Sequence, residues 1–182
     1  MAELSDEQLM ASVRDGDDDA LGVLFSRHHG DVYALSARLI QDGDVADDIT
    51  QEVFLRVWRY ARSFRGRSAF RTWLYRLTYN ACADFRRRDV RRLESDAVDL
   101  VAAQEASNEC TERHILLETA LRRLTPKQRV VLILSRFHGL PCDEIARIVG
   151  CAPGAARVRL HRAMNELRKL YFALDVGDPN DL

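Results

Sequence analysis

The densest chemistry in the chain is cationic, and much of it lies in Pro153-Gly154-Ala155-Ala156-Arg157-Val158-Arg159-Leu160-His161-Arg162-Ala163. On a helix of about 3.6 residues per turn, Ala156, Leu160, Ala163 and Leu167 form one apolar stripe. Arg157, Val158, His161, Arg162 and Asn165 then point away from it. Arginine in such a place can bond guanine O6 and N7 in bidentate fashion or neutralise phosphate, and Val158 can touch a thymine methyl. A cationic face alone is equally well explained by solvation. The preceding residues narrow the choice: a short helix over 143–149, a turn at Gly150-Cys151-Ala152 and a longer helix from Pro153 have the layout of a helix-turn-helix.

A second set of chemically capable residues lies in the first half. Phe64, Phe70, Trp73, Tyr75, Tyr79 and Phe85 are interleaved with Arg62, Arg65, Arg67, Arg71, Arg76 and Arg86-Arg87-Arg88. Single-stranded nucleic acid is bound by this combination, because bases stack on rings while cations follow the backbone. Helical spacing assigns part of the set to packing, since Phe70, Trp73, Leu74, Leu77 and Ala81 share a stripe. Tyr79, Asn80, Asp84 and Arg87 fall on another face and are the better candidates for contact. A third cluster, Asp47, Asp48, Gln51 and Glu52, gathers near the start of a helix, where acids also complement the helix dipole.

The elements that must position these groups read as helix after helix, with no alternating run long enough for a sheet. Ser5-Asp6-Glu7-Gln8 has capping-box spacing and opens a helix that Asp15-Gly16-Asp17 ends. A second helix is expected over about 18–40, with Leu21, Leu24, Phe25, Val32, Leu35 and Leu39 as its packing stripe. A third runs from Asp44 to about Ala61, with Ile49, Val53, Val57 and Tyr60 on one side. The polar loop Arg65-Gly66-Arg67-Ser68 precedes a fourth, from Phe70 to about Arg88. In the second half a helix passes through Leu116, Leu117, Ala120, Leu121 and Leu124, and Thr125-Pro126-Lys127-Gln128 starts another that reaches Phe137 before His138-Gly139. The expected fold is all-α: two small helical domains joined by a flexible linker. The linker follows the basic run Arg86–Arg92 and is acidic and poorly periodic.

At 182 residues and 47% hydrophobic content the chain can bury a core. With 27 Lys and Arg against 28 Asp and Glu, it has no global pull toward nucleic acid, so any DNA-binding surface must be local. No stretch approaches the roughly 20 apolar residues of a membrane span, and the acidic N-terminus lacks a signal-peptide pattern, so a cytoplasmic protein without membrane insertion is expected. Cys82, Cys110, Cys142 and Cys151 form no Cys-x-x-Cys pair and read as unpaired thiols.

Three stretches carry a family resemblance. Asp47 through Trp58, Ser63-Phe64-Arg65-Gly66 and Phe70 through Arg76 resemble sigma domain two of the extracytoplasmic-function (ECF) sigma factors of bacterial RNA polymerase. Leu124-Thr125-Pro126-Lys127-Gln128-Arg129, Gly139-Leu140, Glu144-Ile145-Ala146 and Gly154 through Ala163 resemble sigma domain four. The resemblance implies sigma domain two in 1–92, a linker in 93–112, sigma domain four in 113–174 and an acidic tail in 175–182. It implies that Asp47, Asp48, Gln51, Glu52 and Phe54 dock on the clamp helices of the largest subunit of the polymerase core. Promoter DNA would be met both single-stranded and as duplex. Arg65, Ser68, Phe70, Tyr79, Asn80, Asp84 and Arg87 are the expected minus-ten set, with Asn80 helping to hold a flipped base through its donor and acceptor atoms. Arg157, Val158, Arg159, His161 and Arg162 are the expected minus-thirty-five set. An anti-sigma factor is implied as a further partner, and no cofactor, metal or enzymatic activity is expected.

The sequence departs from the family pattern at Pro141, where relatives usually cap the first helix of the motif with Ser or Thr, and at Ala155 and Val158, which replace residues that are commonly polar. The minus-thirty-five sequence read here is therefore expected to differ from that of a typical relative. Two rival readings come from other classes. A stand-alone helix-turn-helix regulator would leave the acidic helix and the aromatic–arginine stretch without a role and would need a dimer on a palindromic site. A metal sensor or enzyme built on Cys110-x-x-x-His114 with His28, His29 or Cys82 has only one spaced pair, where structural zinc sites generally use four ligands.

Overall fold

The computed structural model describes residues 4–95 and 112–175. Their regular structure is helical throughout, and they divide into two compact units. The first unit holds α1 (Asp6–Arg14), α2 (Asp18–Ile40), α3 (Gly43–Tyr60) with a 3-10 turn over Ala61–Ser63, and α4 (Phe70–Ser95). The second holds α5 (Glu112–Arg123), α6 (Pro126–Arg136), α8 (Pro153–Asp175) and the greater part of α7 (Cys142–Val149). Most of the expected linker and nearly all of the acidic tail lie outside the described residues.

Short polar side chains start the helices of the first unit. Ser5 and Gln8 form a reciprocal capping box, with Ser5 N–H donating to Gln8 Oε1 at 2.8 Å. Asp17 accepts from Ala20 N–H at 3.0 Å, and Asp42 accepts from Val45 N–H at 3.1 Å. The first turn of α4 is supplied from elsewhere in the fold: Glu7 Oε1, on α1, accepts from Phe70 N–H at 3.0 Å. Asp6 joins the same helix to α2, accepting from Arg27 NH1 at 3.0 Å and meeting His28 Nε2 at 2.7 Å. Leu24, Val32, Leu35 and Leu39 of α2 are buried with Ile49, Val53 and Val57 of α3 and Phe70, Leu74 and Tyr75 of α4. Two residues expected in these stripes are exposed, and Leu21, Trp73 and Leu77 are half-buried. Phe25 is 40% exposed and Tyr60 is 52% exposed, each at the margin of its helix's buried arc. Helix α4 also runs past Arg88 to Ser95, and α3 closes in the 3-10 turn.

In the second unit Thr125 and Gln128 form a second capping box with Pro126 at the first helical position, as the spacing predicts. Helix α6 buries Val130, Val131, Leu132, Ile133 and Leu134. Gly139 at φ 66° turns the chain after it, and Leu140 N–H returns to Leu134 O at 3.0 Å. The most consequential polar residue is Arg129, buried at 6% exposure. Its guanidinium donates to the carbonyls of Leu121, Arg122 and Leu124, so α6 satisfies the last turn of α5.

Replacing Arg129 with Ala leaves those carbonyls without these donors and is expected to cost about 2–4 kcal/mol. Both tryptophans, Trp58 and Trp73, belong to the first unit. Urea unfolding should therefore shift in far-UV circular dichroism while the tryptophan fluorescence transition stays in place.

Alkaline pH tests the first unit separately. Burial pushes the Cys82 thiol up to about 11 and the Tyr75 phenol up to about 12, the latter against the opposing pull of Arg71. The ordinary values are 9.0 and 10.0, so between those values and the raised ones the folded unit holds protons that the unfolded chain releases. The contribution of these two groups to stability is complete below about pH 9 and is lost as pH rises toward 12. The urea midpoint read by tryptophan fluorescence should decline across that window, and Tyr75→Phe should flatten its upper part.

Candidate polymerase and nucleic-acid interfaces

Helix α7 begins without a side-chain cap. Pro141 takes the cap position in extended conformation, and its carbonyl accepts from Glu144 N–H at 3.0 Å and Ile145 N–H at 3.1 Å. The first helix of the motif therefore starts at Cys142, one residue before the expected Asp143. Gly150 ends it at φ 70°, a left-handed conformation that glycine adopts without the Cβ penalty. Helix α8 then packs on Ala156 and Ala163, at 1% and 0% exposure, with Leu160 and Leu167 half-buried beside them. This orientation leaves Arg157, Val158, His161 and Arg162 exposed and Arg159 half-buried. Arg157 NH2 reaches Asp143 Oδ1 of α7 at 3.4 Å, and Asn165 Nδ2 lies 3.1 Å from His161 Nε2. The geometry is that of an open helix-turn-helix surface bearing three arginines and a histidine.

The minus-ten set divides. Arg65, Asn80 and Arg87 are exposed, and Ser68, Tyr79 and Asp84 are half-buried. Phe70 must be corrected: its ring is fully buried, 6.0 Å from Phe64, 6.1 Å from Trp73 and 5.3 Å from His28, so it packs the unit and offers no face to a base. Tyr75 is buried as well, its hydroxyl accepting from Arg71 Nε at 3.0 Å and donating to Asp31 Oδ2 at 3.1 Å. Asp84 is drawn into an ionic group, with Oδ2 accepting from Arg56 NH1 at 3.2 Å and Oδ1 accepting from Arg87 NH2.

On α3, Asp47, Asp48 and Gln51 are exposed along one edge. Glu52 is half-buried, and its Oε1 accepts from Arg56 Nε at 2.9 Å. Phe54 lies deeper than these neighbours. It is only 6% exposed and forms a groove floor, edge-on to Phe25 at 4.8 Å. The exposed apolar side chains are ones that sequence reasoning missed: Leu55 at 50%, Trp58 at 54% and, from α2, Phe25. With Leu21 and Gln51 they line an open groove between α2 and α3. The signal was available in the spacing. Gln51, Leu55 and Trp58 recur at four and three residues, beside the Ile49–Val53–Val57 stripe and off it.

Among the described residues, no three His, Cys, Asp or Glu side chains gather to hold a metal ion. Cys82, Cys142 and Cys151 are free thiols, and Cys110 lies outside the described residues. No described helix is long and apolar enough to cross a membrane.

Comparison with known proteins decides the family. The Sigma-70 region 2 family matches residues 24–92, and the Sigma-70 region 4 family matches residues 114–167. The RNA polymerase sigma factor CarQ of Myxococcus xanthus is 34% identical over 172 residues, covering 92% of this chain and 98% of CarQ. The ECF RNA polymerase sigma-E factor of Escherichia coli K12 is 34% identical over 175 residues, covering 88% of this chain and 91% of that one. The chain belongs to the ECF sigma factors.

Solved structures of sigma factors share its fold. RpoE in complex with the anti-sigma factor NepR, from Bartonella quintana, superposes with a TM-score of 0.72 at 25% identity, over 86% of this chain and 98% of that one. CnrH in complex with the cytosolic domain of CnrY gives 0.70 at 27% identity, over 95% and 99%. The sigma factor directs promoter-specific transcription initiation, and its matched regions contain the surfaces described above. Region 2 includes Phe25, Gln51, Leu55 and Trp58 of the α2–α3 groove and Asn80, and region 4 includes α7 and Arg157, Arg159 and Arg162 of α8.

Arg157 and Arg162 are five residues apart, about 140° around the helix, so they point in different directions and are not expected to make the same contact. Arg162→Ala is expected to cost about 1–3 kcal/mol and to relax preference at one minus-thirty-five position. Arg157, nearer the helix start and joined to Asp143, is expected to mix phosphate and base contact, so Arg157→Ala should lower affinity more evenly and reduce the salt slope by up to about one. Selection from a promoter library by core polymerase carrying each variant separates the two, and a uniform loss for Arg162→Ala would assign it to phosphate.

Proposed function

We propose a division of labour within the sigma factor. Sigma domain two, in 1–92, docks on the clamp helices of the largest polymerase subunit through the α2–α3 groove and its acidic-amide edge, and captures melted minus-ten DNA along α4. Sigma domain four, in 113–174, reads the minus-thirty-five element with α8. The observation that carries this reading is the groove: Phe25, Leu55 and Trp58 stand exposed in it beside Asp18 and Gln51, an apolar centre with a polar rim, and Asp47 and Asp48 are exposed elsewhere along α3. A stand-alone regulator has no use for such a surface. Asn80, exposed on α4, is the group proposed to hold a flipped base, with Arg65 and Arg87 following the backbone.

The same reading makes the protein a cytoplasmic, non-enzymatic factor whose specificity is lent to the polymerase. Its net charge of −1 leaves only local attraction to DNA, so the free chain should bind promoters weakly and core polymerase should switch binding on by raising effective concentration. The similar proteins RpoE and CnrH are solved in complex with NepR and with the cytosolic domain of CnrY. An anti-sigma factor is accordingly the proposed regulator here.

Run-off transcription on a promoter library, with and without this chain added to core polymerase, tests the function directly. Specific transcripts should require the chain, and Leu55→Ala with Trp58→Ala should abolish them by weakening core binding at least tenfold, since buried aromatic anchors dominate such interfaces. Unchanged core affinity in the folded double variant would remove the groove from the docking surface.

A further inference from the structure

Side chains expected to face two different partners are tied together by a residue expected to face neither. Arg56, on α3, donates through Nε to Glu52 Oε1 at 2.9 Å and through NH1 to Asp84 Oδ2 on α4 at 3.2 Å. The second oxygen of Asp84 accepts from Arg87 NH2. The order across the two helices is Glu52, Arg56, Asp84, Arg87, alternating in sign. Side-chain exposure rises along its outer part, from 18% at Arg56 to 32% at Asp84 and 68% at Arg87. The row is most buried in its middle, at Arg56, and opens to solvent toward both ends, at 42% for Glu52 and 68% for Arg87.

This placement changes the meaning of Asp84. A carboxylate at a DNA surface repels phosphate, yet here each oxygen is occupied by a guanidinium. The charge is neutralised locally, and what remains is a rigid holder for Arg87. Arginine suits the inner position because its planar fork can bond two carboxylates in different directions, whereas lysine offers one compact charge. Burial alone would lower the Arg56 pKa, but the bonds and charges of Glu52 and Asp84 outweigh it and raise it, so the cation is well held.

We propose that Arg56 is a positioning residue for minus-ten binding: it fixes the Asp84 carboxylate, which holds the Arg87 guanidinium in the orientation in which it meets the DNA backbone. The proposal rests on the reading of α4 as the minus-ten surface. Without Arg56, Asp84 and Arg87 become an exposed pair, three residues apart on one helix, which holds its geometry weakly.

The test uses the full chain at saturating core polymerase, on a template premelted at minus ten and on a duplex carrying only the minus-thirty-five element. Arg56→Gln should weaken binding to the premelted template about three- to ten-fold and make its salt dependence shallower by about one unit, the signature of one lost phosphate contact. Binding to the duplex should not change. Arg56→Lys should recover only part of the loss. In an Asp84→Asn background Arg56→Gln should add less than about two-fold, because residues acting through one another are non-additive. Four results overturn the proposal: additive effects in the double variant, equal losses on both templates, an unmoved salt slope, or full activity of Arg56→Gln where Arg87→Ala is impaired. If Arg87→Ala and Asn80→Ala are both silent on the premelted template, the minus-ten reading of α4 fails, and the positioning role falls with it.

Discussion

A helix can bury only one stripe of its surface in a small bundle, and the exposed chemistry of this protein depends on which stripe that is. Helix α3 commits Ile49, Val53 and Val57 to the core at 6%, 0% and 0% exposure. Asp48, Gln51, Leu55 and Trp58 are thereby turned outward. Helix α8 commits Ala156 and Ala163, small residues that let the helix sit close to its unit, and thereby turns out Arg157, Val158, His161 and Arg162. Packing and recognition are two faces of the same helices, so a change on the buried stripe rotates or loosens the exposed one.

Helix ends are the weak points of such small units, since each leaves backbone groups without intrahelical partners. The protein covers them in two ways. Ser5, Asp17, Asp42 and Thr125 act on their own helices. Glu7 and Arg129 act across the fold, the first on the start of α4 and the second on the end of α5. The cross-fold contacts add information that local caps lack, because they hold one helix against another at a fixed register. Arg129 is the stronger case, as a buried cation bonded to several carbonyls is far less screened than a surface ion pair.

Near-neutral net charge and strong local charge coexist because the two signs are segregated. Asp18 and Gln51 line the α2–α3 groove, Asp47 and Asp48 are exposed on α3, and exposed arginines cluster on α4 and α8. A sigma factor needs both, since it bridges a protein partner and a polyanion. The Glu52–Arg56–Asp84–Arg87 row runs between α3 and α4 within a single unit, where a partly buried arginine joins the helix proposed to dock on the polymerase to the helix proposed to meet DNA.

The all-α class, the order of the helices, both capping boxes and the helix-turn-helix were legible in the sequence. Each rests on local chemistry: a capping side chain acts within one turn, a left-handed glycine within one residue, and an apolar period within one helix. The outward face of α8 was legible for the same reason, because its alanines left a single arc able to pack. Tertiary structure decided what depended on a second element. Phe70 and Phe54 share the aromatic type of a recognition residue, and only their neighbours His28, Phe64 and Phe25 place one in the core and the other on a groove floor. Asp84 and Glu52 looked like independent surface acids until Arg56, which sequence periodicity treats as an ordinary solvated cation, was found between them. Periodicity reports which face a residue shares within its own helix; what stands opposite that face is set by how the helices pack.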